Sequence, residues 1–344
     1  MNSLKPPFVG YSVIHAALKA RLPGVGPMEA DHRPGERRSF GDRDSWYAGP
    51  SEEELTAKIL ITGTSSGIGL ATALELGRAG HQVYATMRNP ARAPELGERV
   101  AQEKLPTSIL TMDVDSDRSV TECFAAVGPI DVLVNNAGIE RQGSVEELPM
   151  EGFRATMETN YFGALRCIRQ VVPGMRERRS GCIINVSSVA GKIAGLSMAA
   201  YTASKFALEA LSEALAGEMK PFGVRVAIVE PGIIETPMAH AITDAPPSRY
   251  RHARNFAALV QAALAQPAPP SIIAEAIRNI IESGTWKLRH PCGPDAQPFL
   301  SWRAAMTDEE WIDFNALDAE GFRKRVKKDF GLDLKLPAED AARA

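Results

Sequence analysis

The sequence has few cysteines, almost no excess of charge and no apolar run of membrane-spanning length. The four cysteines, Cys123, Cys167, Cys182 and Cys292, share no metal-ligand spacing and do not suggest a disulfide framework. We therefore expect a reducing, cytoplasmic location and no metal site. The 39 basic and 42 acidic residues nearly balance, which argues against nucleic-acid partners. A membrane span needs about 18 or more consecutive apolar residues, and no run approaches that length.

The first 54 residues differ in composition from the rest of the chain. Residues 20–50 are rich in Pro, Gly, Arg and Asp and show neither helical nor strand periodicity, which favours a flexible N-terminal extension over residues 1–54. Residues 8–18 follow Lys5 and resemble the apolar core of a signal peptide. Ser12 and His15 interrupt that core, and no small-residue cleavage site follows it. An extension is therefore the preferred interpretation.

From residue 58 onward, short apolar runs alternate with stretches of helical periodicity. The runs cover residues 59–61, 83–85, 109–110, 132–134, 183–184 and 226–229, and residues 286–288 are a plausible last strand. Runs without polar alternation are typical of strands that are covered on both faces. The pattern predicts an α/β fold over residues 55–290, with a doubly wound, mainly parallel, Rossmann-like sheet of seven strands and helices on both faces.

The last part of the chain, residues 291–344, has a different pattern. Thr307 and Glu310 have the spacing of a capping box at the start of a helix. Phe322, Val326 and Phe330 recur every four residues and predict the apolar edge of a further helix. We expect a helical tail that packs on or near the substrate side of the main domain.

A glycine-rich turn lies directly between the first predicted strand and a helix. It comprises Gly63, Ser65, Ser66, Gly67, Ile68 and Gly69. Glycines allow a tight turn and close approach of the backbone to a phosphate, while the helix N-terminus offers free N–H groups. The turn alone also fits a purely structural role.

Further motifs follow the later strands in a fixed order. They are Asp113–Val114, Asn135–Gly138, Asn160, Ser188, Tyr201 with Lys205, and the loop from Pro231 to Thr236. In this order they resemble the short-chain dehydrogenase/reductase family over about residues 57–290. Residues 83–89 and 286–296 resemble its 17β-hydroxysteroid and retinol dehydrogenase group.

The resemblance implies a role for each motif. It assigns the adenine site to Asp113 and Val114, the cofactor lining to Asn136, Ala137 and Gly138, and the nicotinamide loop to Pro231, Gly232, Ile234 and Thr236. It assigns catalysis to Asn160, Ser188, Tyr201 and Lys205, of which Tyr201 and Lys205 also contact the cofactor. It further implies a homodimer or homotetramer, which pairs through the helices that carry Asn160 and Tyr201.

The spacing of Tyr201 and Lys205 has a chemical meaning of its own. The two residues are four apart in a helical segment, so their side chains share one face. A nearby ammonium favours the phenolate and so brings the tyrosine closer to acid–base use. The Ser188 hydroxyl is then placed to hydrogen-bond a developing alkoxide. Taken singly, the tyrosine and lysine also fit an ordinary surface pair, and Ser188 also fits a turn cap.

The end of the second strand bears on the choice of cofactor. Met87 stands where NAD-selective members of the family place an acidic residue, and Arg88 follows it. A guanidinium suits a phosphate, so we expect NADP(H) to be favoured over NAD(H). Against this, Ser66 stands where many NADP-dependent members carry a second basic residue.

The family resemblance predicts an NADP(H)-dependent oxidoreductase that interconverts a small-molecule secondary alcohol and ketone, and the subgroup suggests a bulky apolar substrate. Candidate pocket walls are Met238, Ile242, Tyr250, Phe256 and Leu259, which also fit helix packing. A 3-oxoacyl-thioester reductase is the alternative enzyme. A dinucleotide-sensing protein without turnover is the alternative of a different class.

Overall fold

The computed structural model describes residues 56–195, 197–244 and 247–336. The predicted extension over residues 1–54 lies outside these described residues, as does the chain from residue 337 onward. Within the described part, regular secondary structure begins with a strand at Lys58 and ends with a helix at Phe330.

Seven strands form one sheet. They are β1 (Lys58–Thr62), β2 (Gln82–Met87), β3 (Thr107–Thr111), β4 (Val132–Asn135), β5 (Gly181–Val186), β6 (Val224–Pro231) and β7 (Arg289–Cys292). Their order is β3-β2-β1-β4-β5-β6-β7, and every neighbouring pair is parallel. This confirms the predicted fold class. The strand order reverses between β1 and β4, which in such sheets opens a ligand crevice at the carboxyl ends of the strands.

The last strand was predicted at the wrong residues. Residues 286–288 precede it, and Trp286 is 49% exposed. The strand is Arg289–Cys292, which pairs with β6 from Ile228 to Pro231. Because this edge strand carries a polar sequence, Arg-His-Pro-Cys, it has no apolar run by which to be recognised.

Twelve α-helices connect or follow the strands in the described residues. They are α1 (Gly67–Arg78), α2 (Pro94–Glu103), α3 (Asp117–Val127), α4 (Met150–Met157), α5 (Ala164–Arg178), α6 (Ala199–Met219), α7 (Pro237–Thr243), α8 (His252–Ala263), α9 (Ser271–Glu282), α10 (Ala296–Ala304), α11 (Asp308–Ala316) and α12 (Ala319–Phe330). A π-helical turn, Glu158–Gly163, joins α4 to α5. Short 3₁₀ turns occupy Pro90–Arg92, Val189–Gly191 and Lys220–Phe222.

The sheet is covered on both faces, as the apolar runs predict. Ile59 and Ile61 of β1 pack in one core, together with side chains of α1 and α9. Leu60, between them, packs in a second core with side chains of α3, α5 and α6. Since successive residues of a strand point to opposite faces, a strand between two cores is apolar along most of its length.

The helices that follow β7 form a third, aromatic cluster. The Trp302 ring centroid lies 5.5 Å from that of Trp311, 5.0 Å from that of Phe314 and 4.9 Å from that of Phe330. Edge-to-face contacts of this kind are favourable beyond the area that they bury. The cluster also includes Leu259 of α8, so it is joined to the main domain.

Two sequence predictions about these helices are confirmed. Thr307 and Glu310 form the capping box of α11, with the Thr307 hydroxyl accepting from Glu310 N at 3.1 Å and Glu310 accepting from Thr307 N at 2.9 Å. Phe322, Val326 and Phe330 form the buried edge of α12. The charged residues of α12 accordingly lie on its other faces.

Candidate active site

The glycine-rich turn between β1 and α1 is shaped by close backbone contacts. Gly63 has φ +71°, and a Cβ on it would lie 2.7 Å from Ala137 Cα. A Cβ on Gly69 would overlap the carbonyl oxygen of Gly63. The Ser66 side chain makes no capping bond to α1, and the first turn of α1 has no acidic residue. The N-terminus of α1 is therefore suited to an anion such as a diphosphate.

Hydrogen bonds from the end of β4 hold this turn in place. Asn136 Nδ2 donates to the carbonyl oxygens of Thr62 at 2.9 Å and Gly63 at 3.0 Å. In return, Thr62 Oγ1 accepts from the backbone N–H groups of Asn136 and Ala137. Sequence reasoning did not single out Thr62 for this role, because a threonine at a strand end gives no distinctive pattern.

The residues predicted to border the adenine ring lie beside each other after the ends of β2 and β3. Asp113 N donates to Ser119 Oγ at 2.9 Å, and Val114 is buried. Met87 is buried while Arg88 is exposed, and both line the same cavity as Asp113 and Val114. The positive charge of Arg88 therefore borders this end of the cavity.

The loop after β6 is held by a residue from beyond β7. Asp295 Oδ2 accepts from Ile233 N at 2.9 Å. Thr236 caps α7 by accepting from Ala239 N at 3.2 Å, and Ile234 is buried in a bridge to Ala268. Sequence reasoning missed Asp295, because only the tertiary fold brings it to this loop.

The four predicted catalytic residues all lie at the carboxyl edge of the sheet. Asn160 is buried in the π-helical turn, where Oδ1 accepts from Ile139 N at 2.8 Å and Nδ2 donates to Ile139 O at 2.9 Å. Its Nδ2 also donates to Ser204 Oγ at 2.9 Å. The polar atoms of Asn160 are thus used to fix the backbone next to the site.

Tyr201, Ser188 and Lys205, three of the predicted catalytic residues, lie together at the cavity. Burial raises the pKa of Tyr201 above its usual range, while a hydrogen bond with Ser188 opposes that shift. The lowering expected from the Lys205 ammonium is therefore not found, because burial outweighs it. The Lys205 Nζ lies 5.6 Å from the centroid of the Tyr201 ring and donates to Val186 O at 2.9 Å. Burial lowers the pKa of Lys205 to about 8, so at pH 7 the side chain is mostly a cation.

Glu140 is a further charged residue at the cavity that sequence reasoning missed. Burial raises its pKa to about 7. Its Oε1 is buried without a hydrogen-bond partner among the described residues, and its negative charge further raises the pKa of Tyr201. Glu140 lies two positions after the motif that ends at Gly138, but nothing in the sequence indicates that its Oε1 is buried.

One cavity of about 380 Å³ connects these groups. All the predicted cofactor residues line it, as do three of the catalytic residues, Ser188, Tyr201 and Lys205. Asn160 lies behind the wall, where it holds Ile139, a lining residue.

The part of the cavity wall formed by α7, α8 and the helices after β7 is apolar. Met238, Ile242, Phe256 and Leu259 line it as candidate pocket residues, whereas Tyr250 does not: it is exposed, and its hydroxyl bonds to Glu146. The aromatic cluster supplies further walls, namely Phe299, Trp302, Trp311, Phe314, Val326 and Phe330.

The described residues contain neither a metal-binding cluster nor a membrane-spanning helix. Among them, no group of three or more His, Cys, Asp or Glu side chains is arranged to hold a metal ion. No helix in the described part of the chain is both long and apolar enough to cross a membrane.

Comparison with known proteins assigns the main domain to a protein family. The sequence model described as short chain dehydrogenase matches residues 57–247. Human retinol dehydrogenase 8 is 41% identical over 184 residues, which cover 52% of this chain and 59% of that protein. The 3-ketodihydrosphingosine reductase of Bacteroides thetaiotaomicron is 39% identical over 178 residues, 52% of this chain and 64% of that protein. The matched segment thus spans less than two thirds of these curated relatives.

Solved structures show the same fold. A short-chain dehydrogenase from Streptomyces avermitilis superposes with a TM-score of 0.65 at 33% identity, covering 78% of this chain and 98% of that chain. A short-chain dehydrogenase from Burkholderia cenocepacia J2315, solved in complex with NADP, gives a TM-score of 0.60 at 28% identity, covering 76% of this chain and 98% of that chain.

Proposed function

Since this chain belongs to the short-chain dehydrogenase family, we propose that it is an NADP(H)-dependent oxidoreductase that interconverts a secondary alcohol and a ketone. The observation that carries the proposal is the contact of Tyr201 with Ser188 and Lys205 inside the cavity that begins at the glycine-rich turn. A proton donor, a hydrogen-bonding hydroxyl and a cation are thus grouped at one point.

The residues present fit a dinucleotide. Only glycine at position 69 leaves the Gly63 carbonyl free of overlap, and the first turn of α1 carries no carboxylate that would repel a phosphate. When bound, NADP(H) supplies or accepts the hydride. The wall of the same cavity includes Gly67, Asn136 and Thr236 as well as Tyr201.

The chain's own residues handle the proton. In the reducing direction Tyr201 donates its hydroxyl proton to the oxygen of the substrate. Ser188 Oγ accepts from Ala190 N at 3.1 Å and is hydrogen-bonded to Tyr201, so its hydroxyl is placed to donate to the same substrate oxygen. The Lys205 cation favours the resulting tyrosinate. Asn160 positions Ile139 and Ser204 rather than the substrate.

The preference for NADP(H) rests on the end of β2. Met87 is buried and brings no negative charge, and the exposed Arg88 borders the adenine side of the cavity. A guanidinium there is available to the phosphate that distinguishes NADP(H) from NAD(H). The relative solved with NADP supports binding of this cofactor by the fold.

The substrate is proposed to be bulky and apolar. The walls beyond Tyr201 include Phe256, Trp302, Trp311 and Phe314, which offer a large apolar surface for a ring system or a long chain. The similarity to a retinol dehydrogenase and a 3-ketodihydrosphingosine reductase supports this substrate class.

A homodimer or homotetramer is also proposed. Phe162 follows Asn160 in the π-helical turn, Phe206 lies on α6 close to Tyr201, and each is 42% exposed. Light scattering after size exclusion tests the assembly.

A cytoplasmic location stays a prediction, and the four buried, unpaired cysteines accord with it.

An assay of NADPH oxidation with a panel of aromatic and long-chain ketones tests the activity. We expect oxidation with at least one bulky ketone and, in the reverse direction, reduction of NADP⁺ with the matching alcohol. Binding of NADPH without oxidation on any ketone, thioester or aldehyde would instead support a dinucleotide sensor. Faster turnover of 3-oxoacyl thioesters than of any free ketone would favour the alternative reductase.

A further inference from the structure

The backbone next to Glu140 is fixed at two points. Ile139, which precedes it, donates its N–H to Asn160 Oδ1 at 2.8 Å and accepts from Asn160 Nδ2 at 2.9 Å. On the other side, Gly143 N donates to Ser197 O at 3.0 Å. Glu140 is therefore held at the cavity wall by a short, anchored segment.

One oxygen of the Glu140 carboxyl group lacks a partner of its own. Its Oε1 is buried and accepts no hydrogen bond, and within the described ranges it forms no ion pair. A carboxylate in apolar surroundings is costly unless it is hydrogen-bonded or paired with a cation. A ligand that brings a donor to this point would remove that cost, so the site favours ligands with such a group.

Glu140 is close to the reacting position. It lines the same cavity as Ser188 and Tyr201, and its charge acts on the Tyr201 hydroxyl. The loop that carries Glu140 also runs beside Lys205, since a Cβ on Gly138 would lie 3.8 Å from Lys205 Nζ. We therefore expect the carbons next to a substrate oxygen at Tyr201 to face this loop. The walls beyond are apolar side chains such as Phe256 and Trp302, which offer no competing acceptor of this kind.

We propose that Glu140 determines specificity by accepting a hydrogen bond from a hydroxyl or ammonium group on a carbon next to the reacting carbon. The inference rests on the proposed ketone reduction and narrows its substrate class to ketones with such a neighbouring donor and an apolar body. Glu140 contacts the substrate in this proposal but takes no part in proton or hydride transfer.

Three ketones of equal framework test the proposal by turnover: acetophenone, 2-hydroxyacetophenone and 2-aminoacetophenone. In the wild type, kcat/KM for at least one donor-bearing ketone should exceed that for acetophenone by about tenfold or more, as for a hydrogen bond to a charged group. In Glu140→Leu, kcat/KM for both donor-bearing ketones should equal that for acetophenone. Glu140→Gln should keep part of the preference for the hydroxyl ketone and lose the preference for the amino ketone, and this difference identifies the donor. The surface variant Glu151→Gln is the control and should keep the wild-type ratios.

The ratio separates specificity from a general effect on catalysis. If Glu140 acts only through the pKa of Tyr201, its replacement changes kcat/KM for all three ketones by the same factor. Unchanged ratios in Glu140→Leu and Glu140→Gln would overturn the proposal. Circular dichroism and thermal unfolding confirm that each variant is folded before it is compared.

A binding measurement keeps the test independent of turnover. Quenching of tryptophan fluorescence, with Trp302 and Trp311 in the cavity wall, reports binding of 1-phenylethane-1,2-diol, 2-amino-1-phenylethanol and 1-phenylethanol in the presence of NADP⁺. We expect a donor-bearing alcohol to bind about tenfold more tightly than 1-phenylethanol in the wild type only. If no ketone is reduced, the proposed reaction is wrong. The difference in affinity between the donor-bearing alcohols and 1-phenylethanol still tests the role of Glu140. Equal affinities in wild type and Glu140→Leu would overturn that role.

Discussion

The Asp295 carboxylate occupies the space in which a side chain at Gly232 would lie. A Cβ on Gly232 would overlap Asp295 Oδ1, while Asp295 Oδ2 accepts from Ile233 N at 2.9 Å. The segment after β7 thus supports the loop after β6 through the contacts of Asp295 with Gly232 and Ile233. Burial raises the pKa of Asp295 above its usual range, and the bond from Ile233 opposes that shift.

Replacement of Asp295 should loosen this loop. Asp295→Ala leaves Ile233 N without its acceptor, so we expect the free energy of unfolding to fall by about 1–3 kcal/mol and the Kd for NADPH to rise. Urea unfolding and isothermal titration measure the two effects. The exposed Asp313 of α11 provides the control, and Asp313→Ala should change neither quantity. A variant with wild-type stability and wild-type Kd would contradict the supporting role.

Tyr201→Phe should stop catalysis while NADPH binding persists. The ring keeps its packing but the proton donor is lost, so kcat should fall by at least about 10²-fold, the usual contribution of an acid–base group. Steady-state kinetics and a Kd for NADPH are measured together. Tyr250→Phe changes the same atoms at an exposed position outside the cavity, and it should keep the wild-type rate. Half of the wild-type rate in Tyr201→Phe would rule out its assignment as the acid.

Arg88 should decide between the two cofactors. We expect kcat/KM for NADPH to exceed that for NADH by about tenfold to a hundredfold, as for one hydrogen-bonded charge pair. Arg88→Ala should erase most of this difference through KM. Arg92, an exposed arginine four positions later, offers a matched control in Arg92→Ala. Equal use of both cofactors by the wild type, or an unchanged preference in Arg88→Ala, would show that Arg88 does not select the phosphate.

Lys205 should make stability depend on pH. Its pKa falls from 10.5 to about 8 on burial, so between these values the unfolded chain holds a proton that the folded chain has lost. Stability therefore rises with pH in this window. Between pH 7.5 and 9.5 the free energy of unfolding of the wild type should rise by about 2 kcal/mol relative to Lys205→Met.

Urea unfolding at the two pH values measures this difference. Lys324→Met, at an exposed site on α12, should follow the wild type. Parallel behaviour of Lys205→Met and the wild type would mean that Lys205 is not a buried cation.

Phe322 should be a main contributor to the aromatic cluster. Its side chain is almost fully buried, and its ring centroid lies 5.3 Å from that of Phe314. Phe322→Ala should lower the free energy of unfolding by about 3–5 kcal/mol, as for other large-to-small core replacements. Ile312→Ala removes an apolar side chain that is 64% exposed in the same cluster of helices, and should cost far less. Similar losses in both variants would show that the cluster does not act as a core.

The sequence by itself determined the features of this protein that depend on residues close together in the chain. Strands between two cores are apolar along most of their length, so six of the seven were found from their runs. The turn at Gly63 and the pair of Tyr201 and Lys205 are also visible in sequence, because their geometry depends on residues a few positions apart.

Only the tertiary structure decided what lies across the site from these motifs. It brings Asp295 against Gly232 and Trp302 into the cavity wall, and it leaves Oε1 of Glu140 buried in the same cavity without a partner among the described residues. It also pairs a polar strand, Arg289–Cys292, with β6. Burial and the contacts of a side chain arise from segments distant in sequence, so no pattern at the residue itself contains them.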